Sequence, residues 1–256
     1  MKSLLIVVLV VAVEVRSAII REGVEIPTYS VPCKRTDPNI NDCILKGLRA
    51  FIAAVAKDGV KEIGVPPLDP FYMPELLTIY KNRDMQASVL LKNIFTHGAM
   101  NAEIKAIRSD FSNPQKIIIE ADTHSPEMFS EGTYKMEGKV GNFVLNGRGV
   151  YNVTMYNIDD TVHVELKVVE IDGEEFLKVT KVMVDPEIGD MKMYASNLVN
   201  GNPELSKIAN QFANQFWKLF YKEMMPIAQE NVDKISKSLI NKALLTIPYN
   251  QLLPPN

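Results

Sequence analysis

Residues Asn202–Thr246, NPELSKIANQFANQFWKLFYKEMMPIAQENVDKISKSLINKALLT, decide the fold of this chain. Asn202 is a good N-cap residue, Pro203 suits the first helical position, and Pro248 ends the helix before it. Spacings of three and four between apolar residues predict an amphipathic helix from Pro203 to about Leu245. Its first apolar stripe consists of Leu205, Ile208, Ala209, Phe212, Phe216, Leu219 and Phe220.

A second apolar stripe follows Pro226. At 100° per residue it is rotated by roughly 150° from the first, and a proline kink at Pro226 is the predicted cause. The unbent helix would be about 65 Å long, whereas a compact chain of this length is about 45 Å across. Either the molecule is elongated or the helix bends around the body. The second stripe consists of Ala228, Val232, Ile235, Leu239 and Ala243.

The middle of the chain, from about Leu76 to Leu198, alternates apolar and polar residues with period two. Such runs predict β-strands, and the short turns between them predict an antiparallel meander with one apolar face. A long meander coils strongly, so we expect its apolar face to cover the helix. The turn signals are Asn113-Pro114, Gly141-Asn142, Asp159-Asp160, Asp172-Gly173 and Asp185-Pro186.

The first residues predict a signal peptide. Lys2 is followed by an apolar run, Leu4 to Val13, that is too short to span a bilayer, and Ser17 offers a small residue at the cut. We therefore predict a signal peptide over residues 1–17, a single domain over 18–256, and a secreted protein without an integral membrane segment.

The segment before the sheet contains the two cysteines, Cys33 and Cys43. In an oxidising compartment their simplest state is a disulfide with each other, worth about 2–3 kcal/mol. A helix is predicted from about Asn41 to Lys57, with Gly59 as a possible C-terminal cap. The proline-rich residues 64–71 then predict a stiff connector that is neither helix nor central strand.

Composition excludes some partners. Lysine and arginine total 28 against 31 acidic residues, and no basic cluster appears, so a nucleic-acid partner is not expected. Asn152-Val153-Thr154 is a possible glycosylation acceptor, although such triplets also arise by chance.

In order and spacing, these features resemble the takeout family, close to the insect juvenile hormone-binding proteins. The shared features are a signal peptide, the early pair Cys33 and Cys43, the connector Pro66-Pro67-Leu68-Asp69-Pro70, the meander and the long C-terminal helix. The resemblance implies an α+β tubular lipid-binding fold, in which a highly curved antiparallel sheet wraps the helix around an internal apolar tunnel. It also implies secretion into haemolymph or another extracellular fluid. Hormone-binding relatives typically carry a second disulfide, for which this chain has no cysteines, and this favours the takeout branch. Takeout-like proteins are associated with feeding, circadian and chemosensory physiology.

Catalysis is not predicted. His97, His124 and His163 lie far apart in sequence and in no metal-ligand spacing, and no nucleophile elbow or phosphate-binding loop appears. We expect a protein that is not an enzyme and that has no cofactor and no metal.

The apolar interior has two interpretations: a filled core, as in a secreted interaction or signalling protein, or a tunnel for a hydrophobic ligand. The resemblance favours a carrier of a juvenile hormone-like terpenoid, fatty acid or other long-chain lipid, with protein partners unknown. The predicted helix wall of the site consists of Phe212, Phe216, Leu219 and Phe220. The predicted sheet wall consists of Val89, Leu91, Tyr134, Met136, Tyr151, Val153 and Met155.

Overall fold

The structure is a computed structural model that describes residues 32–81, 85–140 and 143–255. The predicted signal peptide over residues 1–17 lies outside these residues. In the described part of the chain, no helix is long and apolar enough to cross a membrane.

The N-terminal part is fastened by the predicted disulfide. Cys33 and Cys43 are bonded, with their Cα atoms 5.7 Å apart, and the bridge lies at the start of helix α1, Ile40–Val55. This confirms the predicted disulfide and the helix, which ends slightly earlier than predicted. Cys33 belongs to a buried cluster with Ile117, Leu166, Leu177, Val179, Val182, Tyr249 and Leu253.

The connector after α1 folds back on the end of that helix. A short 3-10 helix, Lys61–Ile63, is enclosed by an antiparallel bridge between Val60 and Val65. The N–H groups of Leu68 and Asp69 both donate to the carbonyl of Ala56, at 2.9 Å. Leu68 packs on a second buried cluster, formed by Val55, Val60 and Val65. The proline-rich connector is therefore neither helix nor strand until strand β1 begins.

Within the described residues, seven strands form one antiparallel sheet that is not closed. The long β4 pairs with β2 and β3, and the long β5 pairs with β4, β6 and β7. The strands are β1 Phe71–Lys81, β2 Met85–His97, β3 Glu103–Asp110, β4 Ile117–Val140, β5 Phe143–Ile171, β6 Glu174–Met183 and β7 Glu187–Ala195.

One detail of the predicted meander is wrong. Asp159-Asp160 is not a turn, because β5 runs through it without a break. Asp159 accepts from Lys105 at 2.7 Å and contacts His124, and Asp160 accepts from the N–H of Asp185, so tertiary partners override the turn preference. Strand β2 contains one irregularity, where its pairing register with β4 shifts between Lys92 and Phe95.

The C-terminal helix consists of more than one segment. Helix α2 is Pro203–Gln215, α3 is Trp217–Leu244 and α4 is Tyr249–Leu252. As predicted, Asn202 caps α2, by accepting from the N–H of Leu205 at 3.0 Å. The interruption lies at Phe216, with φ −113° and ψ 26°, whereas α3 continues through Pro226. Pro226 is exposed, so water can bond to the carbonyl of Lys222, which lacks its usual N–H partner.

One polar stripe fastens α2 and α3 to the open edge of the sheet. Asn210 accepts from Ala195 N and donates to Ala195 O, both at 2.8 Å, and Asn214 does the same for Met193. Further along, Asn241 bonds both backbone groups of Val179. These side chains make the backbone hydrogen bonds that a further strand would make. They therefore occupy edge groups that could otherwise pair with another chain. Ser206 likewise bonds both backbone groups of Val199. Gln229 donates to the carbonyl of Val182 and accepts from the N–H of Val184, and Asp233 accepts from the N–H of Val182.

The helix also reaches the opposite edge of the sheet. The hydroxyl of Tyr80, on β1, donates to Glu223 of α3 at 2.7 Å. β1 and β6 are the two ends of the strand order, and a helix is only about 10–12 Å in diameter. The sheet must therefore curve strongly for both ends to approach α3. This confirms the predicted α+β fold, a long C-terminal helix with a highly curved antiparallel sheet around it.

Candidate ligand-binding site

The seven residues of the predicted sheet wall lie on one face of the sheet. Val89 is opposite Met136 in the β2–β4 pair, and Leu91 is opposite Tyr134. Directly opposed residues in antiparallel strands point to the same side, and the β4–β5 register extends this face to β5 without a shift. We call this face, which carries Val89, Leu91, Tyr134, Met136, Tyr151, Val153 and Met155, the inner face, and the other the outer face.

Strand β7 adds residues to the inner face that the sequence prediction missed. Met193 is opposite Val153, and Met191 is opposite Met155, which is in turn opposite Met128. The period-two alternation of Met191, Met193 and Ala195 was the available signal. Flexible thioethers adapt to irregular apolar partners, so these rows form a deformable apolar surface.

Most of the inner-face residues are half-buried rather than packed. Of the seven predicted, Tyr134 is buried at 7% exposure and the other six are intermediate. Among the described residues, none of the seven belongs to either buried cluster, which both lie toward α1 and the end of α3. The inner face near α2 therefore has apolar surface that its neighbours cover only in part.

Tyr134 has a structural role within this surface. Its hydroxyl donates to the carbonyl of Ser196 at 2.8 Å, and burial raises its pKa. Residues 196–198 cross β5 closely here, so that a Cβ on Gly147 would lie 2.6 Å from Leu198 O and one on Gly149 2.7 Å from Ser196 O. The two glycines therefore allow a close backbone approach in a strand whose pairing with β4 is uninterrupted.

A polar pair interrupts the apolar rows. The hydroxyls of Tyr151 and Ser130 lie 3.5 Å apart, and burial raises the pKa of Tyr151. At this distance the hydrogen bond between them is weak. The two hydroxyls can therefore accept a further polar partner on the inner face.

The predicted helix wall forms an aromatic group at the junction of α2 and α3. The ring of Phe212 lies 4.7 Å from that of Phe216 and 6.0 Å from that of Phe220. Phe212 is 52% exposed and Leu219 57%, so their neighbours leave much of these side chains uncovered. Leaving such a group in water costs about 25 cal/mol per Å² of exposed apolar surface.

A groove of about 630 Å³ between α2 and β7 indicates which way this aromatic group faces. Tyr194 and Lys207 both line the groove, and Tyr194 lies on the outer face because its neighbours Met193 and Ala195 lie on the inner one. At 100° per residue, Phe212 is roughly 140° around α2 from Lys207. The aromatic group therefore points away from this groove.

A cluster of charged side chains surrounds Arg108, where β3 pairs with β4. Arg108 donates to Asp122 at 2.9 Å and to Glu120 at 3.0 Å, and His163 contacts Glu120 at 3.1 Å. The hydrogen bonds from Arg108 lower the pKa of Asp122 from its ordinary 3.8 to about 2. No group of three metal-ligating side chains occurs among the described residues. These charges form an ordinary solvated surface, away from the apolar rows.

Asn152, the predicted glycosylation acceptor, lies on the outer face opposite Tyr194 of β7 and Glu131 of β4. A glycan there would point away from the inner face. Its attachment stays a prediction.

A protein-family model described as haemolymph juvenile hormone binding protein matches residues 4–254. Among solved structures, Takeout 1 of Epiphyas postvittana matches with a TM-score of 0.69 and 23% identity, over 85% of this chain and 96% of that chain. A lipopolysaccharide binding protein also matches, at 14% identity over 73% of this chain and 39% of that chain. Its TM-score of 0.28 is too low to indicate a shared fold. No curated protein matches the chain.

Proposed function

The chain belongs to the haemolymph juvenile hormone binding protein family, and we propose on that premise that it carries a hydrophobic small molecule. The observation that supports this most is the pair of apolar walls, one on the inner face of the sheet and one on α2 and α3. Both walls lie outside the two buried clusters, and Phe212, Phe216 and Leu219 are exposed. A ligand between the walls would cover apolar surface that the protein leaves open.

The attachment of α2 to the sheet supports a site between the two walls. Asn214 is bonded to both backbone groups of Met193, whose side chain belongs to the inner face, while Phe212 lies on the same helix. We infer that this fixation of α2 to the edge strand keeps the helix wall beside the sheet wall. This arrangement favours a ligand that lies along the sheet, between β7 and the interior strands.

The chemistry of the walls selects the ligand class. Neither wall contains a Lys, Arg, Asp or Glu, and a fixed charge buried without a partner would cost several kcal/mol. The ligand is thus neutral, or keeps a charged head at the end of the site. A juvenile hormone-like terpenoid, a fatty acid or another long-chain lipid fits these conditions. Binding should be driven by apolar burial and depend little on salt.

Secretion is consistent with this role. The Cys33–Cys43 bridge is stable in an oxidising compartment, and the first residues have the pattern of a signal peptide. We therefore place the protein in an extracellular fluid such as haemolymph, where an apolar ligand needs a carrier.

The experiment is native mass spectrometry of the protein purified from secreting cells, followed by lipid extraction. We expect co-purifying lipid, or an empty protein that binds a fluorescent long-chain fatty acid with one-to-one stoichiometry. A protein that carries no lipid and does not bind the probe would contradict the carrier function. The buried clusters should be unaffected by lipid removal, so the delipidated protein should stay folded by circular dichroism.

A further inference from the structure

Strand β1 is an edge strand with an exposed apolar outer face. Among the described residues it lies at one end of the strand order, where its one strand partner is β2. Thr78 is opposite Val89, so its neighbours Leu77 and Ile79 lie on the outer face, where they are 56% and 64% exposed. Glu75 and Lys81 are exposed on the same side. Exposed apolar edge strands are ready templates for pairing with another chain.

We propose that two copies of this chain associate through β1, antiparallel to each other, around a two-fold axis at Thr78. In this register Leu77 packs against the partner's Ile79, and Glu75 faces the partner's Lys81. Each contact occurs twice, as a two-fold interface requires. Directly opposite apolar pairs and opposite charges both favour strand pairing.

The sequence of β1 selects this register over its neighbours. A shift of two residues in one direction places Leu77 against the partner's Lys81, and in the other direction it places Glu75 against the partner's Ile79. A shift of one residue would oppose the outer face to the inner face. Only the register centred on Thr78 matches both the apolar pair and the charged pair.

The described contacts of β1 leave its outer-face side chains exposed. Glu75 lies 3.9 Å from the ammonium of Lys92, and both side chains are more than half exposed. The bond from Tyr80 to Glu223 engages the inner face of β1 rather than the outer one. Pro74 has no N–H to donate and is tolerated in an edge strand, and it limits the paired stretch to residues 75–81. Such a short interface predicts a weak, concentration-dependent dimer.

Analytical ultracentrifugation of the mature chain tests the interface. We expect reversible dimers, and we expect Leu77→Lys to raise the dimer dissociation constant by about tenfold or more. The matched control is Val150→Lys, because Val150 is 54% exposed on the outer face of β5, between β4 and β7. Its dimer should match that of the wild type. A wild type that is monomeric at every concentration up to about 1 mM would overturn the proposal.

Charge reversal tests the register. Glu75→Lys and Lys81→Glu should each weaken the homodimer by about tenfold, because each places like charges opposite each other twice. An equimolar mixture of these two variants should dimerise again. In the mixed dimer the introduced lysine faces the introduced glutamate, and the unchanged Lys81 of one chain faces the unchanged Glu75 of the other. A mixture that stays as monomeric as its components would contradict the proposed register. None of these results depends on lipid binding, so they leave the carrier proposal untouched.

Discussion

The side-chain amide of Asn214 bonds to both backbone groups of Met193, donating to the carbonyl at 2.7 Å and accepting from the N–H at 2.9 Å. Asn210 repeats this relation with Ala195 one helical turn earlier. Polar side chains thus replace a missing strand along the open edge of β7. Since Ser206 is the only buried residue of α2, these bonds carry much of the attachment of α2 to the sheet.

We predict that Asn214→Ala loosens α2. The substitution leaves a backbone donor and an acceptor of β7 without partners, which costs about 1–3 kcal/mol where they stay buried. Hydrogen exchange should become faster in α2 and β7, and remain unchanged in the part of α3 that packs on β6. The control is Gln211→Ala, since Gln211 is exposed on the same helix. Equal exchange in the two variants would show that the amide bonds do not hold α2.

The glycines of β5 give a second prediction. A Cβ on Gly149 would lie 2.7 Å from the carbonyl oxygen of Ser196, and backbone cannot move away as a flexible side chain could. Gly149→Ala should therefore lower the free energy of unfolding by about 1–3 kcal/mol, measured by urea denaturation. Arg148→Ala, an exposed neighbour on the opposite face, should change it much less. Identical urea midpoints for the two variants would contradict the close approach.

The third prediction concerns acid stability. Hydrogen bonds from Arg108, and then from Thr161, lower the pKa of Asp122 in the folded protein to about 2, from an ordinary 3.8. Because the folded pKa is the lower one, the ionised carboxylate stabilises the fold above about pH 4, and this contribution is lost as the pH falls toward 2. Asp122→Asn should lower the urea midpoint at pH 6 and reduce its change between pH 4 and pH 2.

The control for the acid-stability prediction is Glu174→Gln, at the exposed start of β6. Its urea midpoint should follow that of the wild type over the same pH range. If Asp122→Asn also follows the wild type, the Arg108–Asp122 pair does not contribute to acid stability.

Local patterns in the sequence predicted much of this fold. Alternation placed Val89 and Met136 on one face because the side chains of a strand alternate whatever its partner. Spacing and a capping asparagine located the start of α2. The disulfide followed from there being only two cysteines in a chain with a secretory leader pattern.

Other features depend on tertiary partners that no local pattern shows. Asp159 and Asp160 have turn character, but Lys105 and the N–H of Asp185 satisfy them inside β5. The helix is interrupted at Phe216 rather than at Pro226, because an exposed proline can be tolerated where water reaches the freed carbonyl. The polar stripe through Asn210 and Asn214 was visible as an i, i+4 repeat, but its partners are backbone groups of β7, which the sequence alone does not identify.

The measurement that tests the central claim most directly is the affinity of a fluorescent long-chain fatty acid for Phe212→Asp and Val150→Asp. The two positions are 52% and 54% exposed, so both variants should fold, as circular dichroism can verify. If Phe212 lies in the ligand wall, the bound fatty acid would cover the carboxylate of Phe212→Asp, and binding should weaken by more than about tenfold. Val150→Asp, on the outer face, should bind like the wild type. Should Phe212→Asp lose its fold, Phe212→Ala and Val150→Ala replace the pair, with a smaller loss expected for Phe212→Ala. Equal affinities at the two positions would contradict a ligand site between α2 and the inner face of the sheet.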